Sequence, residues 1–372
     1  MYVHSPFCAR RCLYCDFAVT VRKTGDLEGW VRALAGELGY VEQEGLFVLA
    51  DNLQTLYVGG GTPSLLGPEA MCELARVIGP ARLTDPQLEW TAEANPESFT
   101  ADVADGWSGA GVNRISLGAQ SFDAGALRWM GRLHGADGPP AAVEIARGAG
   151  IDNVSVDLIF GLPSHLARSW EDDLHRTVDL DVPHVSLYGL TIEAGTALGR
   201  AVREQRETPV DDDRYREEFL MAAEVLTAAG YRHYEVSNFA RPGFESRHNS
   251  TYWLGEPYLG LGNGAHSFAP PVRRWNLRAW EEYSVAAESS KNPEAEREIL
   301  DAAAVALERV WLGLRTDQGL DRPPEGTAPA SLVDDWVGRG LARQMEDRVC
   351  LTTEGWLLLD RLAVDYDAVG SG

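Results

Sequence analysis

Cysteine is scarce in this chain: there are five in 372 residues, and three of those fall within the first fifteen positions. So few, so unevenly spread, cannot staple a secreted disulfide scaffold. Basic residues are also in deficit, with Lys+Arg 33 against Asp+Glu 56 and a formal charge of −23. That balance excludes a general nucleic-acid binder and would repel an anionic membrane surface. No run approaches the roughly 18 apolar residues of a membrane span. The opening MYVHSPFCARRCLYC has neither the apolar core nor the cleavage site of a secretory leader. The expected compartment is the cytoplasm, where clustered cysteines bind metal more often than one another.

What is present is ordinary globular material, 45% hydrophobic and 24% charged, with length for about two domains or one barrel and an appendage. Short apolar or β-branched segments recur at Tyr2–Pro6, Gln54–Val58, Leu88–Glu93, Asn113–Leu117, Asn153–Phe160 and His184–Leu190. Amphipathic stretches separate them: Leu27–Tyr40, with Leu27, Trp30, Leu34 and Leu38 at helical spacing, then Glu69–Ile78 and Trp170–Val178. Strands alternating with helices predict parallel βα units. Six strands in this span are too few for an eight-unit barrel and suit a doubly wound sheet or an incomplete barrel. Most strands end in a polar or glycine-rich turn, where parallel α/β folds put their chemistry. Beyond residue 205 come a charged helix at Asp211–Ala229, an aromatic, glycine-punctuated region at Tyr231–Trp280, and a polar stretch at Ser289–Glu296 that reads as a linker. The remainder, Ile299–Tyr366, reads as mainly helical apart from a small strand and turn at VCLTTEG.

Cys8, Cys12 and Cys15 form C-x3-C-x2-C, whereas Cys72 and Cys350 stand alone. A four-ligand zinc site lacks a clear fourth ligand at zinc spacing, His4 being the nearest option on the entering strand. Three thiolates in a compact loop suit three corners of a 4Fe–4S cube, which leaves one iron open to a small molecule.

This loop, with Tyr14 before the third cysteine, resembles the signature of the radical S-adenosylmethionine (SAM) superfamily. The resemblance implies an α/β fold, an incomplete (β/α)6 TIM-like barrel with a small mainly helical C-terminal domain. It also implies a cluster whose open iron binds the amino and carboxylate groups of SAM and whose electron cleaves the sulfonium. The cofactor would carry the hard chemistry, and the protein its orientation and the exclusion of solvent. The glycines of GGGTP, Gly60 and Gly61 with Thr62, give close backbone approach and resemble the family motif that receives the methionyl end of SAM. Tyr2, Glu93, Gln120, Arg132 and Asp157, at strand ends or just beyond them, look like further SAM contacts. The expected division is a cluster-bearing barrel core at 1–205, a barrel-completing, tetrapyrrole-binding region at 206–295, and an accessory domain at 296–372.

YVHSPFC, VGGGTPS, EANPESF, RISLGAQSF, DLIFGLP and HVSLYGLTIEAGT narrow the resemblance to the oxygen-independent coproporphyrinogen III oxidase family. Its true oxidases carry a fourth cysteine just after the triad, where this chain has Phe17, and a longer N-terminal extension, which this chain lacks. The other group, the HemW heme chaperones, resembles the chain at both places and carries H-N-x-x-Y-W, here His248-Asn249-Ser250-Thr251-Tyr252-Trp253. Ser5 stands where the family prefers a branched apolar residue.

That branch implies a heme chaperone binding heme, a 4Fe–4S cluster and SAM. His248 would be an axial iron ligand, and Tyr252 and Trp253 a flat apolar surface for the porphyrin. His266 is a second candidate, and Arg273 and Arg274 candidate partners for heme propionates. Partners would be an electron donor and a hemoprotein acceptor, with contact at the membrane through the acceptor. The alternative is an enzyme that oxidatively decarboxylates coproporphyrinogen III.

Overall fold

The computed structural model describes residues 1–289 and 291–370. Six parallel strands, β1 (Tyr2–Ser5), β2 (Thr55–Gly60), β3 (Glu89–Ala94), β4 (Arg114–Gln120), β5 (Asn153–Phe160) and β6 (His184–Gly189), stand side by side in sequence order. A doubly wound sheet would reverse direction at a switch point; here the order never reverses. The sheet does not close either, because β1 and β6 each take a different outer neighbour. Antiparallel β7 (Arg232–Glu235) and β8 (Asn238–Ala240) extend it beyond β6, and the short parallel β9 (Gly260–Leu261) lies outside β1. The incomplete barrel is the fold expected from the sequence.

Side chains alternate across a strand, and here the alternation is inverted relative to a barrel whose interior is filled with branched apolar residues. Leu56, Val58, Trp90, Ala92, Ile115, Leu117, Val154, Val156, Val185 and Leu187 are buried in one apolar core with the helices outside the sheet. Between them, Tyr57, Thr91, Glu93, Arg114, Ser116, Ser155, Asp157, His184 and Ser186 occupy the other face. Neighbouring strands link them along that face: Ser116 Oγ donates to Asp157 at 3.0 Å, and Ser155 Oγ lies 2.8 Å from His184 Nδ1. The lumen is a polar chamber and the packed core surrounds it.

The helices form where the apolar period and the caps agree. In α1 (Leu27–Glu44) Trp30, Leu34, Leu38 and Val41 face the core, Asp26 accepts from the Gly29 N–H, and Gly45 ends the helix at φ 74°. Helices α2 (Ala70–Ile78), α3 (Ala101–Ala110), α4 (Ala124–Met130), α5 (Gly138–Gly148), α6 (Trp170–Asp179), α7 (Ala197–Arg203) and α8 (Asp212–Ala228) follow, five of them capped by Thr100, Asp123, Ser169, Thr196 and Asp211. A ninth helix, α9 (Arg247–Trp253), lies at the strand-start end of the barrel.

One expectation is corrected. The stretch read as a linker at Ser289–Glu296 runs into strand β12 (Glu294–Ile299), the third member of a sheet with β10 (His266–Ala269) and β11 (Val272–Asn276). Its charged composition follows from an exposed edge, where Arg297 pairs with Glu294 at 2.6 Å. The boundary expected at 295/296 falls inside that strand, while Ser290 and the last two residues of the 296–372 segment lie outside the described residues. The C-terminal segment holds helices Ala302–Leu314, Ala328–Gly338 and Leu359–Gly370 around a small sheet of Leu320–Asp321, Ala342–Met345 and Arg348–Leu351. Arg315 ties it to the barrel through Glu235, at 3.0 Å.

Candidate functional site

The cysteine loop folds over the strand-end mouth of the barrel. Phe7–Cys8 pairs with Thr20–Val21, which closes the loop at its base. The Leu13 N–H donates to Met130 at the end of α4, and Leu13 in turn accepts from Leu198 in α7. All three thiols are free and half-buried. Thr62 Oγ1 donates to Cys8 Sγ at 3.4 Å, and an Arg132 N–H points at Cys12 Sγ from 3.9 Å. Burial pushes the Cys8 thiol up to about 11 and raises that of Cys15. At Cys8 and Cys15 burial thus favours the protonated thiol, so ligation there would release protons. Cys72 is exposed on α2, and Cys350 is buried in the C-terminal segment beside Asp317. Among the described residues no three His, Cys, Asp or Glu side chains converge on a single metal ion.

Beneath the loop the SAM candidates converge. Glu93 accepts from the Gly60 N–H and from Tyr57 Oη, both at 2.9 Å. Gly60 sits at φ 107°, and a Cβ there would overlap the His4 ring; one at Gly61 would lie 2.7 Å from the Ser5 carbonyl. These glycines are thus required first by the packing of β1 against β2. His4 Nε2 lies 3.0 Å from the Ala18 carbonyl, which can only accept, so His4 carries its proton there. Its Nδ1 then accepts from Tyr2 Oη at 3.0 Å. Arg132 reaches the Gly118 carbonyl at 2.7 Å and Asn95 Oδ1 at 2.5 Å, while Asn95 donates to Thr62 Oγ1 at 3.1 Å. One hydrogen-bonded line thus runs from Thr62 to Arg132.

Two carboxyls in this mouth are hard to ionise. Burial, with Asp157 adding repulsion, pushes Glu93 up to about 7; burial pushes Asp157 up to about 6. Both suit a site that receives a positively charged ligand. Gln120 ends β4 at φ 65°, a left-handed conformation that costs a non-glycine residue about 1 kcal/mol or more. The next residues hold it there: Ser121 Oγ and the Phe122 N–H both donate to buried Asp173, at 2.7 and 2.8 Å, and Arg168 backs that carboxylate at 3.6 Å. Tyr188 keeps 46% of its surface accessible, while burial, with Asp157 and Glu93 adding repulsion, raises its hydroxyl. Tyr57, Asn95, Asp173 and Tyr188 were not found from the sequence. Tyr57 and Tyr188 could have been, because both continue the polar side of their strands' alternation.

The H-N-x-x-Y-W residues lie elsewhere. Glu89 accepts from the backbone N–H groups of Arg247 and His248 at 3.0 and 2.9 Å, which seats the N-terminus of α9 under β3. His248 is buried and stacked on Tyr57 with ring centres 5.0 Å apart. Its Nδ1 meets Thr55 Oγ1 at 2.8 Å and its Nε2 meets Tyr252 Oη at 2.9 Å. Both ring nitrogens are engaged, so in this arrangement the imidazole offers iron no lone pair. Trp253 lies under the Arg315 guanidinium, 4.1 Å from its ring centre. Arg273 is held by Glu298 and Glu308, and buried Arg274 by Glu44, so neither stands free for a propionate. His266 is exposed on β10 and stacked against Trp275.

Comparison with known proteins agrees with this geometry. The Radical SAM superfamily profile matches residues 2–177. The heme chaperone HemW of Mycobacterium tuberculosis is 38% identical over 367 residues, covering 97% of this chain and 92% of that protein. HemW of Bacillus subtilis is 32% identical over 371 residues, covering 96% of each. Coproporphyrinogen III oxidase (HemN) from Escherichia coli superposes with a TM-score of 0.81 over 98% of this chain and 89% of that one; at 22% identity it bears on the fold alone. A 4Fe–4S cluster and SAM are the cofactors this superfamily implies. With a cysteine loop, a partial barrel and identity extending over nearly the full length of both chains, the protein belongs to the HemW family of radical SAM proteins.

Proposed function

We propose that this protein is a heme chaperone: it binds heme, carries a 4Fe–4S cluster and SAM, and delivers the heme to a hemoprotein. The observation that carries the reading is its identity with HemW proteins along 97% of the chain, combined with Phe17 where the oxidases have a fourth cysteine. Cys8, Cys12 and Cys15 would hold the cluster, and the donor set supports this: three free thiols on one loop with a guanidinium and a hydroxyl directed at the sulfurs. When bound, the cluster supplies an open iron for the amino and carboxylate groups of SAM, and an electron.

Gly60, Gly61 and Thr62 would shape the methionyl pocket. Tyr2, Glu93, Gln120, Arg132 and Asp157 would line the remainder, the two carboxyls charging as the cationic sulfonium and ammonium enter. The barrel core, the region to about residue 295 and the terminal segment would serve as cluster unit, heme-binding unit and accessory unit. An electron donor and a hemoprotein acceptor, reached at the membrane through that acceptor, complete the scheme.

The test is transfer. Protein preloaded with heme is mixed with membranes holding an apo-cytochrome, and heme is counted on the acceptor. Acquisition faster than from free heme or heme-albumin is expected. Acquisition no faster than from those donors would overturn the chaperone reading.

A further inference from the structure

Heme iron needs a ligand nitrogen that is accessible and not already hydrogen-bonded, and the protein has eight histidines from which to supply it. Six are engaged. His4, His184 and His248 have both ring nitrogens hydrogen-bonded. His134 lies between Arg132 and the Gly135 carbonyl. His233 bonds the Val236 carbonyl inside an aromatic stack. His165 faces Glu207 at 3.3 Å. The other two, His175 and His266, are exposed and make no ring hydrogen bond among the described residues. Only His266 has an aromatic ring against it: Trp275, its cross-strand partner in β11, with centroids 5.5 Å apart and planes 24° from parallel.

We propose that His266 is the axial ligand through which this protein holds heme, with Trp275 flanking the porphyrin and Arg278 meeting a propionate. The inference rests on the chaperone reading and supplies its site. The strand pairing fixes the geometry, because directly opposed side chains on antiparallel strands share one face. The indole thus buttresses the imidazole and, lying nearly parallel to it, presents its edge to a macrocycle that stands perpendicular to both rings. Arg278 acts electrostatically on the His266 ring; one terminal nitrogen donates to the Asp16 carbonyl at 2.6 Å and lies 3.7 Å from the Asp16 carboxylate, an exposed contact that leaves its other N–H groups for a propionate. Asp16 follows Cys15, so the proposed heme site adjoins the cluster loop. Partial burial and the nearby Arg273 and Arg278 lower the His266 pKa, which keeps the imidazole neutral and its lone pair available.

Ferric heme is titrated into the purified full-length protein, following the Soret band and tryptophan fluorescence. The wild type and the variants His266→Ala, Trp275→Leu and His248→Ala are compared, with folding checked by circular dichroism. His266→Ala is expected to lose the histidine-ligated spectrum and to bind at least ten-fold more weakly, and added imidazole to restore the spectrum. Trp275→Leu should bind more weakly with the ligation signature kept, and a folded His248→Ala should bind as the wild type does. Wild-type binding that His266→Ala leaves unchanged would overturn the assignment while leaving the chaperone reading intact. A wild type that binds no heme would overturn both.

Discussion

Replacing Glu93 by Gln should stabilise the unloaded protein at alkaline pH and weaken SAM binding in the proposed pocket. Glu93 has an ordinary value of 4.5 and is pushed up to about 7, chiefly by burial. A carboxyl with a raised folded-state pKa holds its proton more tightly folded than unfolded. Its linkage therefore costs nothing below the unfolded value, and stability falls as pH rises from about 4.5 to about 7. A shift of that size corresponds to roughly 3 kcal/mol at 1.36 kcal/mol per unit. Glutamine keeps the shape, can still accept from Gly60 N–H and can donate to Tyr57 Oη. Urea denaturation of the apo-protein should therefore show Glu93→Gln and wild type nearly equal at pH 4.5. By pH 8 the variant should be ahead by up to about 3 kcal/mol. Equal stability at pH 8, or a variant weaker there than at pH 4.5, would refute the reasoning.

Other outcomes follow from the same geometry. Serine at Cys8, Cys12 or Cys15 should each abolish the brown iron–sulfur absorbance after anaerobic reconstitution, whereas Cys72→Ser should leave it intact. If Cys72→Ser bleaches it, the ligand set is wrong. Gly60→Ala forces a Cβ into the His4 ring at φ 107°, so a loss of about 2 kcal/mol or more and of SAM binding is expected by denaturation and calorimetry. Asp173→Ala removes the acceptor for Ser121 and Phe122 and one partner of buried Arg168. It should cost about 3 kcal/mol and weaken SAM binding although Asp173 lies outside the mouth; unchanged SAM affinity would detach Gln120's conformation from the site.

Much of the barrel was legible because its signals are local. A six-residue strand such as Glu89–Ala94 announces itself through β-branched and apolar residues, and a helix such as α1 through Trp30, Leu34 and Leu38 with Asp26 and Gly45 at its ends. Which side of each strand faces the lumen was also written in the alternation of Ser116 with Leu117 and Asp157 with Leu158. It becomes meaningful once the outer face is known to be the packed one. The site's support was illegible because it joins distant residues: Asp173 meets Ser121 across 52 positions, and Glu89 caps His248 across 159. No local pattern reports that a histidine in a turn-like motif has both nitrogens engaged. Likewise, Glu294–Ile299 reads as a polar linker because an exposed edge strand is charged for the same reason a linker is.

The central claim is that this chain handles heme without remaking a tetrapyrrole. One anaerobic sample containing reconstituted protein, SAM, reductant, heme and coproporphyrinogen III, resolved by chromatography, tests it directly. The account predicts about one heme retained per chain and no protoporphyrinogen. Protoporphyrinogen formed over multiple turnovers would contradict it.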